Sequence, residues 1–413
     1  MIINEHRTMI NFTKTLILSL ALLFCVHSYA QHGTSSPYSM LGIGEIDNRS
    51  YGLNSGMANA GIGLSMPGFL NTANPAALFV DTLSFVFDLS MSGKFSQFQG
   101  SGKNEYATNA NIRKVAFGVR TFPKLVVSMG LTPYSNMQYK IKSEGYIEGS
   151  FQKYNVYYEG SGGLSDLYLA ASYKLFSGFH VGANMSYIFG RLNRTESVQS
   201  HSVQTSTEVD KIIFDFGLLY NKFFTNSRRL TVGAIYGYES EFKMKNYKTY
   251  TMTGTTKTKT STYTSIPQYF GGGLSYQSVD GRSHKVFSID YRFNNWANIK
   301  SPDNRMKYDN SHRVNAGVAI TPNYRTPRNY FQRIQYQLGG YYEKSHLVIN
   351  GHNVNEMGVT VGALFPIKAD RTQIFFSADF GHRGGKGLIN ENFLTLNLGI
   401  SMNQMWFTKW FYE

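Results

Sequence analysis

The sequence predicts an all-β fold: a transmembrane β-barrel of about 14 antiparallel strands, with an N-terminal segment plugging its lumen. The 413 residues are 15% aromatic and 16% charged, and 40 are glycine, which suits strands with large side chains on one face and little bulk on the other. From about residue 82 onward, apolar and polar residues alternate as in membrane-barrel strands. The stretch 51–78 contains five glycines and two prolines and follows neither a helical nor a strand period. We interpret it as irregular backbone inside the bore.

Residues 1–30 are predicted to be a signal peptide. Two basic residues precede an apolar run at 16–26, and the motif Ser-Tyr-Ala at 28–30 offers a small-x-small cleavage site. The run is too short to span a bilayer as a helix. The single cysteine, Cys25, lies inside this signal. The exported chain is therefore expected to contain no disulfide, no thiolate metal site and no cysteine nucleophile.

The chain is strongly basic, with a formal net charge of +14. In an exported chain rich in membrane-type strands, this charge favours contact with anionic outer-membrane lipid and lipopolysaccharide rather than with nucleic acid. Solvated basic loops without a specific partner are the alternative. We predict location in the outer membrane of a Gram-negative bacterium.

Three segments show the alternation most clearly. In the first predicted strand, one face carries Leu83, Phe85, Phe87, Leu89 and Met91, and the other carries Ser84, Asp88, Ser90 and Ser92. At 179–190 the outward set is Phe179, Val181, Ala183, Met185, Tyr187 and Phe189, opposite His180, Gly182, Asn184, Ser186 and Gly190. In the last strand Leu394, Leu396, Leu398, Ile400 and Met402 oppose Thr395, Asn397, Gly399, Ser401 and Asn403. We expect the first-named set of each strand to face lipid.

Fourteen strands are predicted, an even number that returns the C-terminus to the side where the N-terminus entered and leaves no unpaired edge in lipid. They lie near 82–98, 106–121, 124–140, 163–176, 179–194, 208–223, 229–244, 266–278, 285–296, 310–320, 334–345, 354–366, 371–382 and 392–403. Short connections, such as 177–178, alternate with longer polar ones at 194–210, 246–265 and 294–310. Outer-membrane barrels have this asymmetry, with short periplasmic turns and longer outer loops.

Aromatic residues cluster near predicted strand ends, where membrane proteins place interfacial girdles. The outer girdle is predicted to contain Tyr134, Tyr187, Phe189, Tyr236, Tyr238, Tyr291, Phe293 and Trp296. The inner girdle is predicted to contain Trp406, Phe407, Trp410, Phe411 and Tyr412. Core packing in a soluble domain is the alternative interpretation.

The N-terminal region resembles the outer-membrane long-chain fatty-acid transport family, the FadL and TodX type. The likeness lies in the small-residue stretch 56–61 (GMANAG) and in Asn74-Pro75-Ala76 just before the first strand. Pro75 fixes its own φ and disfavours helix at Asn74, whose side chain can bridge neighbouring backbone groups. The resemblance implies a hatch at 31–80, with these three residues as its motif, inside a barrel at 81–413. An ordinary turn leading into a strand is the alternative.

The family resemblance implies passive diffusion of small hydrophobic compounds, gated by the hatch. Such a compound would enter an apolar pocket beside the hatch and leave when the hatch shifts or through a gap in the wall. Candidate ligand-binding residues on the segment are Met66, Phe69, Leu70, Leu78 and Phe79. Packing of the segment against the barrel wall is the alternative use of each side chain.

Two polar stretches favour a different function. The connection 246–265 is basic and threonine-rich, with no apolar surface for capturing a hydrophobic solute, and 321–333 is long and basic for a periplasmic turn. Both suit contact with anionic headgroups or with other outer-membrane proteins. The second hypothesis is therefore a barrel that transports nothing and serves as a scaffold subunit of a larger outer-membrane secretion or assembly complex.

Enzymatic, metal and cofactor sites are not predicted. Serine precedes histidine at Ser283-His284 and at Ser311-His312. Adjacent side chains of a strand lie on opposite faces, so neither serine can be a nucleophile activated by the histidine next to it. The glycine run 271–273 lacks the strand–turn–helix context of a phosphate loop, so we interpret it as close approach of another backbone. The histidines show no metal-ligand spacing.

Overall fold

The computed structural model describes residues 36–66, 68–78, 85–100, 103–146, 153–199, 201–251, 255–299, 306–367 and 372–404. The predicted signal peptide, Phe79 and the aromatic cluster 406–412 lie outside these residues. No helix within the described ranges has the length and apolar character needed to cross a bilayer.

The described residues form a closed barrel of fourteen antiparallel strands, some of them interrupted. The first seven are β1 (Phe85–Gly100), β2 (Lys103–Phe122), β3 (Leu125–Asn136 and Tyr139–Tyr146), β4 (Lys153–Phe176), β5 (Phe179–Val198), β6 (His201–Thr225) and β7 (Arg228–Gly237 and Ser240–Thr251). The others are β8 (Thr255–Ile266 and Tyr269–Asp280), β9 (Ser283–Asn294), β10 (Met306–Tyr308 and Ser311–Thr321), β11 (Gln335–Ile349), β12 (His352–Ile367), β13 (Thr372–Gly384) and β14 (Asn390–Gln404).

Pairing of the last strand with the first closes the barrel. β14 runs antiparallel to β1 from Asn390 opposite Gln99 to Gln404 opposite Phe85. Closure matters because an unpaired strand edge in lipid would leave backbone groups without hydrogen bonds. The predicted strand number and fold class are confirmed.

Outward-facing positions form an apolar surface around the barrel. Exposed side chains of this surface include Phe95, Phe117, Met129, Leu131, Leu167, Leu169, Phe214, Phe216, Leu274, Ile289, Leu338, Val361 and Phe376. Inward-facing neighbours are small or polar: in β1, for example, Asp88, Ser90 and Ser92 are buried while Met91 is exposed. The described residues of the three analysed segments follow the predicted faces, so the predicted register is confirmed.

The predicted long loops at 194–210 and 246–265 are wrong. Both stretches continue the strands: β5 pairs with β6 as far as Val198 opposite His201, and β7 pairs with β8 from Ser240 opposite Ile266 to Thr251 opposite Thr255. Threonine has a high β propensity. An antiparallel hairpin pairs the backbone groups of its two strands with each other, so it needs no apolar face. Polar composition therefore does not distinguish these hairpins from loops.

Two members of the predicted outer girdle face inward. Tyr134 and Trp296 are 7% and 6% exposed. The Tyr134 ring lies beneath the Arg49 guanidinium, and Trp296 stacks on His346 with ring centroids 4.2 Å apart. By contrast Tyr187, Tyr236, Tyr238 and Tyr291 are exposed, as a girdle requires.

The two ends of the barrel differ. At one, here called the short-turn end, strands are joined by two-residue turns at 123–124, 177–178, 226–227 and 281–282 and by the longer connection 322–334. At the other, the hairpin end, the extended hairpins β5–β6 and β7–β8 project.

Residues 36–78, here called the lumen segment, lie inside the bore. Among those described, short 3-10 turns occupy Pro37–Met40, Ser55–Met57 and Pro75–Leu78, and a two-residue strand, Glu45–Ile46, pairs with β3. The segment contacts each of the fourteen strands. Contact with every strand of a closed ring places the segment within that ring.

Candidate functional site: the lumen segment and the wall of the bore

Glycines of the wall bring the strand backbone directly against the lumen segment. A Cβ on Gly317 would lie 2.7 Å from Met57 Cα, and a Cβ on Gly339 would lie 2.5 Å from Ala58 N. The same arrangement recurs at Gly182, Gly217, Gly233, Gly273 and Gly362. These approaches admit no side chain, so the segment and the wall are in backbone-to-backbone contact. The close approach predicted for the run 271–273 is confirmed at Gly273.

Asp290 of β9 anchors the centre of the lumen segment. Its Oδ2 accepts hydrogen bonds from the backbone N–H of Gly61 and of Ile62, the latter at 2.7 Å, and its Oδ1 accepts one from Gly63 N–H at 3.4 Å. Asp290 is 3% exposed. Charge-assisted bonds to a buried carboxylate are stronger than neutral ones, and three consecutive donors fix the local backbone conformation.

The stretch 53–58 is held by paired side-chain contacts from β11 and β12. Gln337 accepts from Gly56 N–H at 3.1 Å and donates to Leu53 O at 2.7 Å. Thr360 accepts from Ala58 N–H and donates to Gly56 O, both at 2.9 Å. Each wall residue thus satisfies one backbone donor and one backbone acceptor of the segment.

The proposed hatch motif lies at the end of the segment. Asn74 Nδ2 donates to Ile62 O at 2.8 Å and to Leu218 O of β6 at 3.1 Å, and Asn74 Oδ1 accepts from Ala76 N–H at 3.0 Å. Pro75 and Ala76 begin a buried 3-10 turn. Ser172 of β4 donates to Ala76 O at 3.0 Å. Asn74 therefore joins two parts of the segment to the wall.

Buried ion pairs connect the segment to β1, β2, β4 and β6. Lys114 is fully buried, pairs with Asp88 at 2.9 Å, and donates to Tyr51 O and Leu70 O, both at 2.9 Å. Arg49 pairs with Asp215 at 2.5 Å and with Asp166 at 3.6 Å. Removing one partner of such a pair would leave an uncompensated buried charge.

A second charged cluster lies toward the hairpin end. Arg383 contacts Glu45 and Glu356, both at 2.6 Å, and Lys94 contacts Glu391 at 2.9 Å. Burial alone would raise the pKa of the Glu45 carboxyl, but Arg383 and Lys94 hold that pKa well below its usual range. The cluster keeps Glu45 ionised and ties the start of the segment to β1, β12, β13 and β14.

The predicted ligand-binding side chains fill the interior between segment and wall. Phe69, Leu70 and Leu78 are at most 2% exposed, and Met66 is 7% exposed. Phe69 and Met66 pack in one apolar cluster with Val286 and Leu364, and the other two pack with Val86, Ala116, Val126, Tyr168 and Ala170. Phe79 lies outside the described residues.

The lumen segment separates two cavities. The cavity at the short-turn end is about 670 Å³, and its floor includes Leu53 and Met66. The cavity toward the hairpin end is about 230 Å³ and is lined by the charged cluster around Arg383. The two cavities share no lining residue. In the described part of the chain, the segment thus lies between two separate spaces.

The sequence did not indicate Gln337, Thr360 or Ser172 as contacts of the segment. The only available signal was their inward position in alternating strands, which they share with many other residues. The inward-facing charged residues Asp88, Lys114, Asp215 and Asp290 form ion pairs within the lumen or hydrogen bonds to the segment. Among the described residues, no group of three or more His, Cys, Asp and Glu side chains is arranged to hold a metal ion.

Comparison with known proteins shows both family and fold. The sequence matches the BamG family model over residues 9–413. The chain belongs to the BamG family. No curated protein sequence matches this BamG-family chain.

Solved structures similar to this BamG-family chain include FadL-type barrels. The Ralstonia pickettii toluene transporter TbuX is 13% identical, with a TM-score of 0.59 over 86% of this chain and 99% of that one. A Pseudomonas aeruginosa FadL homologue is 13% identical, with a TM-score of 0.58 over 87% and 99%. The P. putida toluene transporter TodX is 14% identical, with a TM-score of 0.55 over 87% and 99%. At such identities the likeness concerns the fold: it confirms the predicted resemblance for the architecture, while the sequence family is BamG.

Proposed function

We propose that this BamG-family barrel is a sealed scaffold subunit of a larger secretion or assembly complex in the outer membrane of a Gram-negative bacterium. The proposal rests on the direct contact between the backbone of the lumen segment and wall glycines such as Gly273 and Gly339. A segment seated in this way closes the bore and leaves the outer surfaces and barrel ends as the functional parts.

The proposed domain organisation follows the same logic. Residues 1–30 export the chain, residues 31–80 form the hatch, and residues 81–413 form the barrel. Displacing the hatch would break the hydrogen bonds that Asp290 and Lys114 make with its backbone, and each hydrogen bond to a charged group contributes roughly 1.5–3 kcal/mol net. The number of such anchors favours a permanent plug over a frequently opened gate.

The β7–β8 hairpin supplies a docking surface. It extends from Ser240 to Ile266, and Lys243, Lys257 and Lys259 are exposed on it. Since its backbone groups are paired within the hairpin, the hairpin presents a rigid basic ribbon to a neighbouring protein or to lipopolysaccharide.

Copurification tests the proposal. The protein is extracted in mild detergent from cells expressing either the natural chain or a variant with Lys243→Glu, Lys257→Glu and Lys259→Glu. We expect defined outer-membrane partners in fixed stoichiometry with the natural chain, and their loss with the variant. A natural chain that purifies as an isolated barrel under conditions that preserve other membrane complexes would contradict the proposal.

Passive transport of small hydrophobic compounds, gated by the hatch, is the second candidate function. It is favoured by the architecture shared with the toluene transporters TbuX and TodX and by the apolar Met66 and Leu53 at the floor of the short-turn cavity. Under this alternative, Phe69, Leu70, Leu78 and Phe79 would line the route with Met66. Uptake of radiolabelled toluene or fatty acid into proteoliposomes tests it: uptake above that of protein-free liposomes would support transport, and equal uptake would contradict it.

A further inference from the structure

The outer part of β8, Thr255–Ile266, is paired along only one of its two edges. On one side it pairs with β7 over all 12 of its residues. On the other side β9 ends at Asn294, opposite Tyr269, and among the described residues no strand continues the sheet beyond that point. An edge of this kind, here called the free edge of β8, presents a row of backbone N–H and C=O groups without a partner in the sheet. Because this part of β8 is polar and projects at the hairpin end, water can solvate these groups until another strand replaces it.

The free edge is accessible and held in place. Residues 256–263 have exposed side chains at every position, so neither face of the strand is covered by the described part of the chain. On its far side β7 pairs in turn with β6, from Lys245 opposite Glu208 to Thr251 opposite Ser202. The free edge therefore belongs to a three-stranded sheet that is ordered before a partner arrives. A site ordered in advance loses less entropy when it binds.

Two lysines give the free edge a positive charge. Lys257 and Lys259 are two residues apart in a strand, so they lie on the same face. Lys259 Nζ lies 5.5 Å from the centroid of the Tyr247 ring, a contact that orients the ammonium group without neutralising it. Among the described residues neither lysine forms an ion pair, and the hairpin tip, Met-Thr-Gly at 252–254, contains no carboxylate.

The same lysines make pairing with a second copy of the chain unfavourable. If two copies paired antiparallel about Thr258, Lys257 of each would lie opposite Lys259 of the other. Like charges directly opposite each other destabilise a sheet, and lysines on edge strands oppose self-association in this way. Acidic residues two positions apart in a different strand would instead meet both lysines.

We propose that the free edge of β8 binds an extended, acidic strand of a partner protein by β-strand addition. The backbone of the partner strand continues the sheet, while Asp or Glu side chains at alternate positions pair with Lys257 and Lys259. In this mode the main-chain hydrogen bonds supply affinity and the alternate side chains supply specificity. This inference rests on the proposed scaffold function: it narrows the docking surface of the β7–β8 hairpin to one edge and specifies how the partner binds.

The test uses the full-length protein in neutral detergent and a fluorescein-labelled ten-residue peptide of alternating Glu and Val, followed by fluorescence anisotropy. A second peptide of the same sequence is N-methylated at every peptide bond, which keeps the carboxylates and removes the backbone donors. We expect saturable binding of the first peptide and at least about tenfold weaker binding of the second, because the second cannot complete the backbone ladder. Equal binding of the two peptides would overturn strand addition in favour of charge attraction alone.

Charge reversal at the free edge tests the chemistry of the partner. Lys257→Glu combined with Lys259→Glu is expected to weaken binding of the unmethylated peptide at least about tenfold, since a close charge pair contributes on the order of a factor of ten. Lys124→Glu combined with Lys222→Glu is the matched control, because it changes the net charge equally at the short-turn end. All four side chains are exposed, so both double variants are expected to fold. Equal weakening by the two double variants, or no binding by the natural protein, would overturn the inference.

Competition on the copurified complex separates this inference from the scaffold proposal. Excess unmethylated peptide should release a partner that occupies the free edge, and the N-methylated peptide should leave that partner bound. If partners copurify with the natural chain and neither peptide releases them, the docking mode is wrong and the scaffold function stands. If no partner copurifies, the scaffold function itself fails.

Discussion

The Asp290 carboxylate, on the wall of the barrel, accepts a hydrogen bond at 2.7 Å from the backbone N–H of Ile62, which lies in the middle of the lumen segment. The bond is possible only because Gly273, on the neighbouring strand β8, has no side chain. A Cβ at Gly273 would be placed against both Asp290 Oδ1 and Gly63 N. One acidic residue and one glycine on adjacent strands therefore form the contact site for the middle of the lumen segment.

A side chain added at Gly273 should displace the lumen segment. We predict that Gly273→Ala destabilises the protein by about 1–3 kcal/mol, the usual cost of overpacking a tight interior. The free energy of unfolding in detergent and the rate of proteolysis within residues 36–78 measure the effect.

Gly272→Ala is the matched control for this prediction. Gly272 is exposed on the same strand, and a Cβ there would meet no atom within 4 Å. If the two alanine variants were equally stable and equally resistant to protease, the close backbone contact at Gly273 would be disproved.

The charge of Asp290 should help to anchor the lumen segment independently of the size of its side chain. Asp290→Asn keeps the size but turns an acceptor-only carboxylate into an amide whose NH₂ group opposes backbone donors. We predict a loss of roughly 1–3 kcal/mol and faster cleavage of the lumen segment. Asp210→Asn, which removes an exposed carboxylate paired with Lys245 at 3.1 Å, should change neither quantity measurably. Unchanged cleavage in Asp290→Asn would show that the anchor is dispensable.

The sequence predicted the barrel well because strand pairing and face alternation are repeated many times along the chain. Met91, Leu398 and Asn397 face the sides that period-two alternation assigns to them. The hairpins at 194–210 and 246–265 were missed because polar strands beyond the bilayer lack an apolar face. Polarity alone therefore indicated loops, although the pairing continues.

The interior of the bore was less predictable, since the segment has no periodic pattern. Its conformation is set by contacts from residues far apart in sequence, such as Gln337 and Thr360 on Gly56. Asn74 was identified from a short motif, but its bond to Leu218 O depends on how β6 passes the segment. Tyr134 was assigned to a girdle because aromatic residues near strand ends commonly lie there, whereas its inward position places its ring beneath Arg49.

The register of the last strand leads to a further prediction. Leu396 lies near the middle of β14 on the outward face, while Asn397 is 8% exposed and faces the bore. Arg at position 396 should impair insertion by roughly 2–4 kcal/mol if the side chain meets the bilayer midplane, and Arg at 397 should cost much less. Refolding titrations into lipid vesicles compare Leu396→Arg with Asn397→Arg. Equal costs would mean that the assigned register is wrong.

Deleting residues 52–78 tests the plug directly. The two cavities are separated by the lumen segment and share no lining residue, so the deletion should join them into one water-filled path. The strands retain their ladder hydrogen bonds, and water can solvate Asp290 and Lys114 once the segment is absent. We therefore predict a folded barrel that makes liposomes swell faster in small sugars than the full-length protein does. Heat-dependent gel mobility confirms folding in the same preparation. Unchanged swelling by a correctly folded deletion variant would mean that another part of the chain closes the bore, and both the hatch at 31–80 and the sealed scaffold would have to be abandoned.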